Sequence, residues 1–167
     1  MKYSDFFVSQ NDQNYFPEAA CGVASLLMLL KYNRIMDNTP FDELAKDLKL
    51  NVPPKEKGYD EDDQAIGTYP EDIVRFCVLN NIKFRMSFYD DEWKDCLKSA
   101  PIMALLTGNE EEFGLRNCHW VVLVKRDKDY FTYLDPWHRK KTNEYIKHIS
   151  SIDFGRYYTG IACQIIS

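Results

Sequence analysis

The sequence is poor in histidine, glycine and proline, with three, seven and seven residues respectively in 167. So little glycine and proline excludes collagen-like and low-complexity chains. Five cysteines are present, but none form a C-x-x-C or comparable pair, so a structural metal site is not expected. Their odd number leaves at least one thiol free, and most read as buried, reduced thiols. No run of Lys and Arg exceeds Arg139–Lys141, and 21 basic against 26 acidic residues give a net charge of −5. That balance argues against nucleic acid and anionic membrane surfaces as partners. The longest apolar stretch, Val23 to Leu30, is broken by Ser25 and is far too short to span a bilayer. Met1 to Phe7 lacks the apolar core of a secretory signal. The chain as given therefore reads as cytoplasmic, with a secreted or injected effector as the other reading.

What is present suits a soluble globular protein: 45% hydrophobic, 28% charged and 14% aromatic residues. The length fits one domain, residues 1–167, divided into a helical lobe over about 1–80 and a sheet lobe over about 81–167. Residues 21–33 are apolar almost all round, the mark of a central buried helix. Thr39-Pro40 announces a second helix running to Leu48. Residues 51–68, with Pro53-Pro54 and the acidic run Asp60 to Asp63, predict a long loop. Pro70 opens a helix to about Asn80, burying Ile73, Val74, Phe76, Cys77 and Leu79. A strand is expected from Ile82 to Phe88, a short helix from Asp91 to Lys98, and a buried strand from Pro101 to Leu106. His119–Lys125 and Tyr130–Leu134 read as a hairpin. A short helix over Glu144–Ile149 and a strand over Ile161–Ile166 close the count. Helices first and strands later give an α+β fold class.

Cys21 stands at the start of the buried helix, where unpaired N–H groups and a partial positive charge favour thiolate over thiol. Gly22 leaves room for another backbone to approach the sulfur. A cysteine nucleophile needs an imidazole within hydrogen-bond reach, and the imidazole needs an orienting acceptor. His119 opens one strand of the hairpin and Asp135 follows the other. Their side chains share a face if Asp135 lies opposite Val121. A three-residue turn at Asp127–Asp129 achieves this; a turn of even length fails unless a bulge intervenes. His138 falls in a loop and His148 on a polar helix, both solvated. Cys118 points away from the His119 face and reads as buried. Trp120 and Trp137 read as core aromatics, and Trp137 could also shield the His119–Asp135 contact.

Gln13 through Leu30, with Cys21-Gly22 at its centre, resembles the nucleophile segment of papain-like cysteine peptidases. It is most similar to the bacteriocin-processing (double-glycine leader) peptidases and their stand-alone relatives. Cys118 to Val124, followed by Tyr133-Leu134-Asp135-Pro136, resembles that family's histidine strand and Asp-Pro motif. The resemblance implies a papain-like fold and a dyad of Cys21 and His119 oriented by Asp135. One oxyanion donor would be the Cys21 N–H; Gln13 is favoured as the other, with Gln10 open as the alternative. It implies a thiol hydrolase acting on a peptide or protein substrate, with no metal or organic cofactor. Two rivals use the same scaffold: an acyl transferase or deamidase, and a catalytically silent peptide-binding module.

Overall fold

The computed structural model describes residues 1–59, 67–87, 92–108 and 117–167. The acidic run Asp60–Asp63 lies outside the described residues. Helix α1 spans Tyr3–Phe6, α2 Cys21–Asn33, α3 Phe41–Asp47 and α4 Pro70–Leu79. The rest alternates around one sheet: β1 Phe84–Met86, α5 Glu92–Cys96, β2 Ile102–Gly108, β3 Asn117–Arg126, β4 Tyr130–Leu134, β5 Ile146–Ser150, α6 Ser151–Tyr157 and β6 Tyr158–Ile165. All six strands pair antiparallel in the order β1-β6-β2-β3-β4-β5.

Strand alternation divides the sheet into two apolar faces. Met103, Trp120, Val122, Leu134, Cys163 and Ile165 pack with the N-terminal helices. Ile102, Ala104, Val121, Leu123, Phe131 and Tyr133 pack with Trp93, Leu97 and Phe154 from the other side. Helix α2 is buried continuously from Gly22 to Leu30 and lies against β3, which is why its sequence has no polar face. It ends where Arg34 turns left-handed at φ +56° and its N–H caps the last turn.

Three expectations are corrected. Residues Ile146–Ser150 form a strand, not the tail of a helix, because β4 offers its free edge and pairs with all five. The helix begins one residue later, capped by the Ser150 hydroxyl accepting from the Asp153 N–H. His148 accordingly sits on a strand, exposed, with Nδ1 3.1 Å from the Thr132 hydroxyl. At the end of α4, Leu79 is 73% exposed rather than buried, since the core-facing stripe ends at Phe76 and Cys77.

The β3–β4 hairpin meets its parity condition by the second of the two routes. Arg126 pairs with Phe131 and the Asp127 N–H donates to the Tyr130 carbonyl, leaving the two residues Lys128 and Asp129 at the tip, an even length. The register then shifts between Leu123 and Lys125, and Val122 pairs with Leu134. The bulge restores the odd offset and sets Asp135 opposite Val121, on the His119 face.

Candidate active site

The site is assembled where the N-terminus of α2 meets the end of the β3–β4 hairpin. Ala24 donates to the Ala20 carbonyl as the helix starts, so the N–H groups of Cys21, Gly22 and Val23 precede the helical ladder. Cys21 is partly exposed, while His119 and Asp135 are 1% and 6% exposed. His119 Nε2 lies 2.7 Å from Asp135 Oδ1, a short, charge-assisted contact. That oxygen also accepts from the Trp137 N–H at 3.0 Å, which fixes the carboxylate within its own turn. With Nε2 committed to Asp135, Nδ1 is the ring nitrogen left to act on Cys21.

The three groups shift one another. Burial is the largest influence on Cys21 and opposes its charge, yet the thiol is held below its ordinary value. The His119 hydrogen bond and charge, with backbone N–H groups of Trp120 and Gly22, outweigh desolvation. Burial likewise opposes a charged His119, but the bonds to Asp135 and Cys21 raise it to about 10. Asp135 is held low against its own desolvation, first by His119, then by the Trp137 N–H and by His138. Relative to the free side chains, the arrangement favours the thiolate form of Cys21 and the imidazolium form of His119.

Gln13 donates its amide to the Ser9 carbonyl at 3.1 Å, within its own turn. Gln10 is fully buried. Its Nε2 donates to the Pro17 carbonyl at 2.7 Å, in the turn that feeds α2, and its backbone N–H donates to the Pro136 carbonyl at 2.8 Å. Neighbouring residues tie the same two segments together. Asn11 Nδ2 donates to the Trp137 carbonyl, and Asp12 accepts from the Lys140 N–H at 3.1 Å and from Arg139 at 3.4 Å. The Gln10 turn and the Asp135 turn are thus one braced unit.

Other residues depart from expectation. His138 is not a bystander: its Nε2 lies 3.7 Å from Asp135 Oδ2 and its Nδ1 3.8 Å from Glu144. Its position three residues after Asp135, on the turn that closes over the carboxylate, was the available signal. Cys118 is exposed rather than buried, opposite the equally exposed Thr107 near the end of the sheet. Trp120 is a core residue, and its Nε1 donates to the Thr68 carbonyl at 3.0 Å. Gly22 makes room not for a backbone but for side chains. A Cβ there would stand 2.5 Å from Thr68 Cβ and 3.0 Å from Trp120 Cδ1.

Comparison with known proteins gives a consistent result. The profile of the Peptidase_C39-like family matches residues 6–166. A protein from Bacillus anthracis described as a C39-like peptidase superposes with a TM-score of 0.72 at 19% identity, covering 98% of this chain and 96% of that one. The peptidase domain of Streptococcus ComA, a bifunctional ABC transporter of a quorum-sensing pathway, gives 0.63 at 17% identity, with 88% and 90% covered. A double-glycine-motif protease from an AMS/PCAT transporter, crystallised with its leader peptide, gives 0.57 at 21% identity, with 87% and 82% covered. At these identities the likeness is one of fold, papain-like in each case. No curated protein matches the sequence.

Proposed function

The chain belongs to the Peptidase_C39-like family and is a cysteine peptidase-like enzyme, and from that membership we propose that it cleaves a peptide bond through Cys21, His119 and Asp135. The observation that carries the reading is the buried relay from the partly exposed sulfur through the His119 ring to Asp135 Oδ1 at 2.7 Å. The Cys21 thiolate attacks the carbonyl carbon. The oxyanion is held by the Cys21 N–H and a glutamine amide. His119 gives its proton to the leaving nitrogen as the C–N bond breaks, leaving a thioester. Water then attacks the thioester, His119 taking its proton, and the carboxylic acid departs as the thiolate reforms.

Of the two glutamines, Gln10 is the better supported. Its burial and its anchor on Pro17 hold the amide beside the turn entering α2, with a second amide hydrogen left for an oxyanion. Gln13 directs its amide to Ser9 instead. The leader-peptide complex of the transporter protease supports a substrate of the same kind, a peptide segment carrying a double-glycine motif. No helix among the described residues is long and apolar enough to cross a membrane.

The test is cleavage of a synthetic double-glycine leader peptide followed by mass spectrometry. Wild-type protein should yield a product ending at the motif and a thioester trappable on Cys21, while Cys21→Ala, still folded, should yield neither. Equal cleavage by Cys21→Ala would refute the reading. Diversion of product by added amines would instead point to an acyl transferase.

A further inference from the structure

A second ionic cluster, with a fully buried pair at its centre, lies outside the candidate triad, and its connections lead back to it. Lys57, at the end of the 3₁₀ turn Pro54–Lys57, and Asp72, in the first turn of α4, have no exposed side-chain surface. Lys57 Nζ donates to Asp72 Oδ2 at 2.9 Å and to the Gly67 carbonyl at 3.2 Å, and stands 5.1 Å from the Tyr69 ring centroid. Asp72 also accepts from the Tyr69 N–H at 2.9 Å, the Tyr59 hydroxyl at 2.7 Å and Arg75 at 3.3 Å. A buried ion pair contributes little net stability against an apolar replacement, though losing one partner is costly. What this pair does visibly is clamp the residues on either side of Thr68. Gly67 is held by its carbonyl and Tyr69 by its N–H, while Thr68 between them gives its carbonyl to Trp120 Nε1. The Thr68 side chain fills the space over Gly22.

Residues 67–69 therefore form a strap touching the residue after each reactive group: Gly22 after Cys21, and Trp120 after His119. We propose that Lys57 and Asp72 are positioning residues for the nucleophile, clasping the strap so that Thr68 seats Gly22 and Trp120 around the Cys21 sulfur. The backbone N–H groups of those two residues are the donors that, beside His119, favour the thiolate. Among the described residues, the ionisable groups facing the sulfur are His119 from β3 and, behind it, Asp135. Lys57 and Asp72 act on it through the backbone they hold. The inference rests on the thiolate reading of Cys21 and adds to it residues far away in sequence.

The test is the pH dependence of Cys21 alkylation by iodoacetamide, followed by peptide mapping. It is run on wild type, Asp72→Asn, Tyr59→Phe and Trp120→Phe, with Lys98→Met at the exposed Lys98–Asp95 pair as control. Asp72→Asn and Trp120→Phe should raise the midpoint by about one pH unit, so that alkylation on its acid side slows about tenfold. Tyr59→Phe should move it in the same direction by less, and the control not at all. A purely structural role would lower the melting temperature and leave the midpoint in place; that result in the folded variants overturns the inference. If Asp72→Asn does not fold, Tyr59→Phe and Trp120→Phe decide. A wild-type sulfur that alkylates like a model thiol would refute the thiolate reading and this inference with it. A low wild-type midpoint that the variants do not shift would refute the inference alone.

Discussion

Replacing Asp135 by asparagine probes the relay with the least disturbance of shape. The carboxylate lies 2.7 Å from His119 Nε2, with both groups buried, so His119 loses a charge-assisted hydrogen bond that water cannot replace. Such a bond contributes about 1.5–3 kcal/mol, which corresponds to about one to two units of pKa on the imidazolium. His119 is raised to about 10 in the native protein by Asp135 and Cys21 together, against the opposing effect of burial. In Asp135→Asn its titration should therefore move down, into the range of about 8–9. The thiolate should survive, because the His119 charge persists at neutral pH and the backbone donors on the sulfur are untouched. The assay is NMR observation of the imidazole Cε1–H against pH. With only three histidines, His138→Gln and His148→Gln variants complete the assignment. A folded Asp135→Asn protein whose His119 titrates as in wild type would refute the claim that this carboxylate sets the charge of the ring.

Further outcomes follow from the same geometry. Gly22→Ala should destabilise the protein by about 1–3 kcal/mol in urea denaturation, since the Cβ would overlap Thr68; a neutral result would mean that the strap yields. Arg34→Gly should stabilise it by about 0.5–1 kcal/mol, because an exposed non-glycine residue sits left-handed after α2. Asp135 is held below its ordinary value of 3.8. Its contribution to stability is complete above that value and lost as pH falls through its lower native one. Melting temperatures of Asp135→Asn and wild type should accordingly converge in strong acid. Asn11→Ala should slow peptide cleavage without removing it, by loosening the brace between the Gln10 and Asp135 turns; an unchanged kcat would show the brace to be idle.

Much of the architecture was legible because it is local. Residues 21–33 could bury an unbroken apolar surface only as a central helix, and α2 occupies those positions. Proline at the first helical position placed the start of α4, and a β-rich run after a charged turn placed β4. Residues 144–149 misled because strand or helix there was decided by the open edge of β4, a neighbour far removed from the local pattern. Yet Ser150, three residues before Asp153, carried the capping signal for α6.

The sequence by itself determined which residues could do the chemistry: a cysteine at a helix start, a histidine opening a strand, and an aspartate before a proline. Their types and order are properties of the chain, and the helical and strand periods that place them are nearly independent of context. Tertiary structure alone decided which glutamine is buried beside the entry to α2, that a bulge and not a three-residue turn aligns His119 with Asp135, and that Lys57 and Asp72 close on the strap over Gly22. Those outcomes depend on pairings between distant segments, where one residue of register or one buried partner changes which atoms meet, and neither composition nor spacing encodes such a choice.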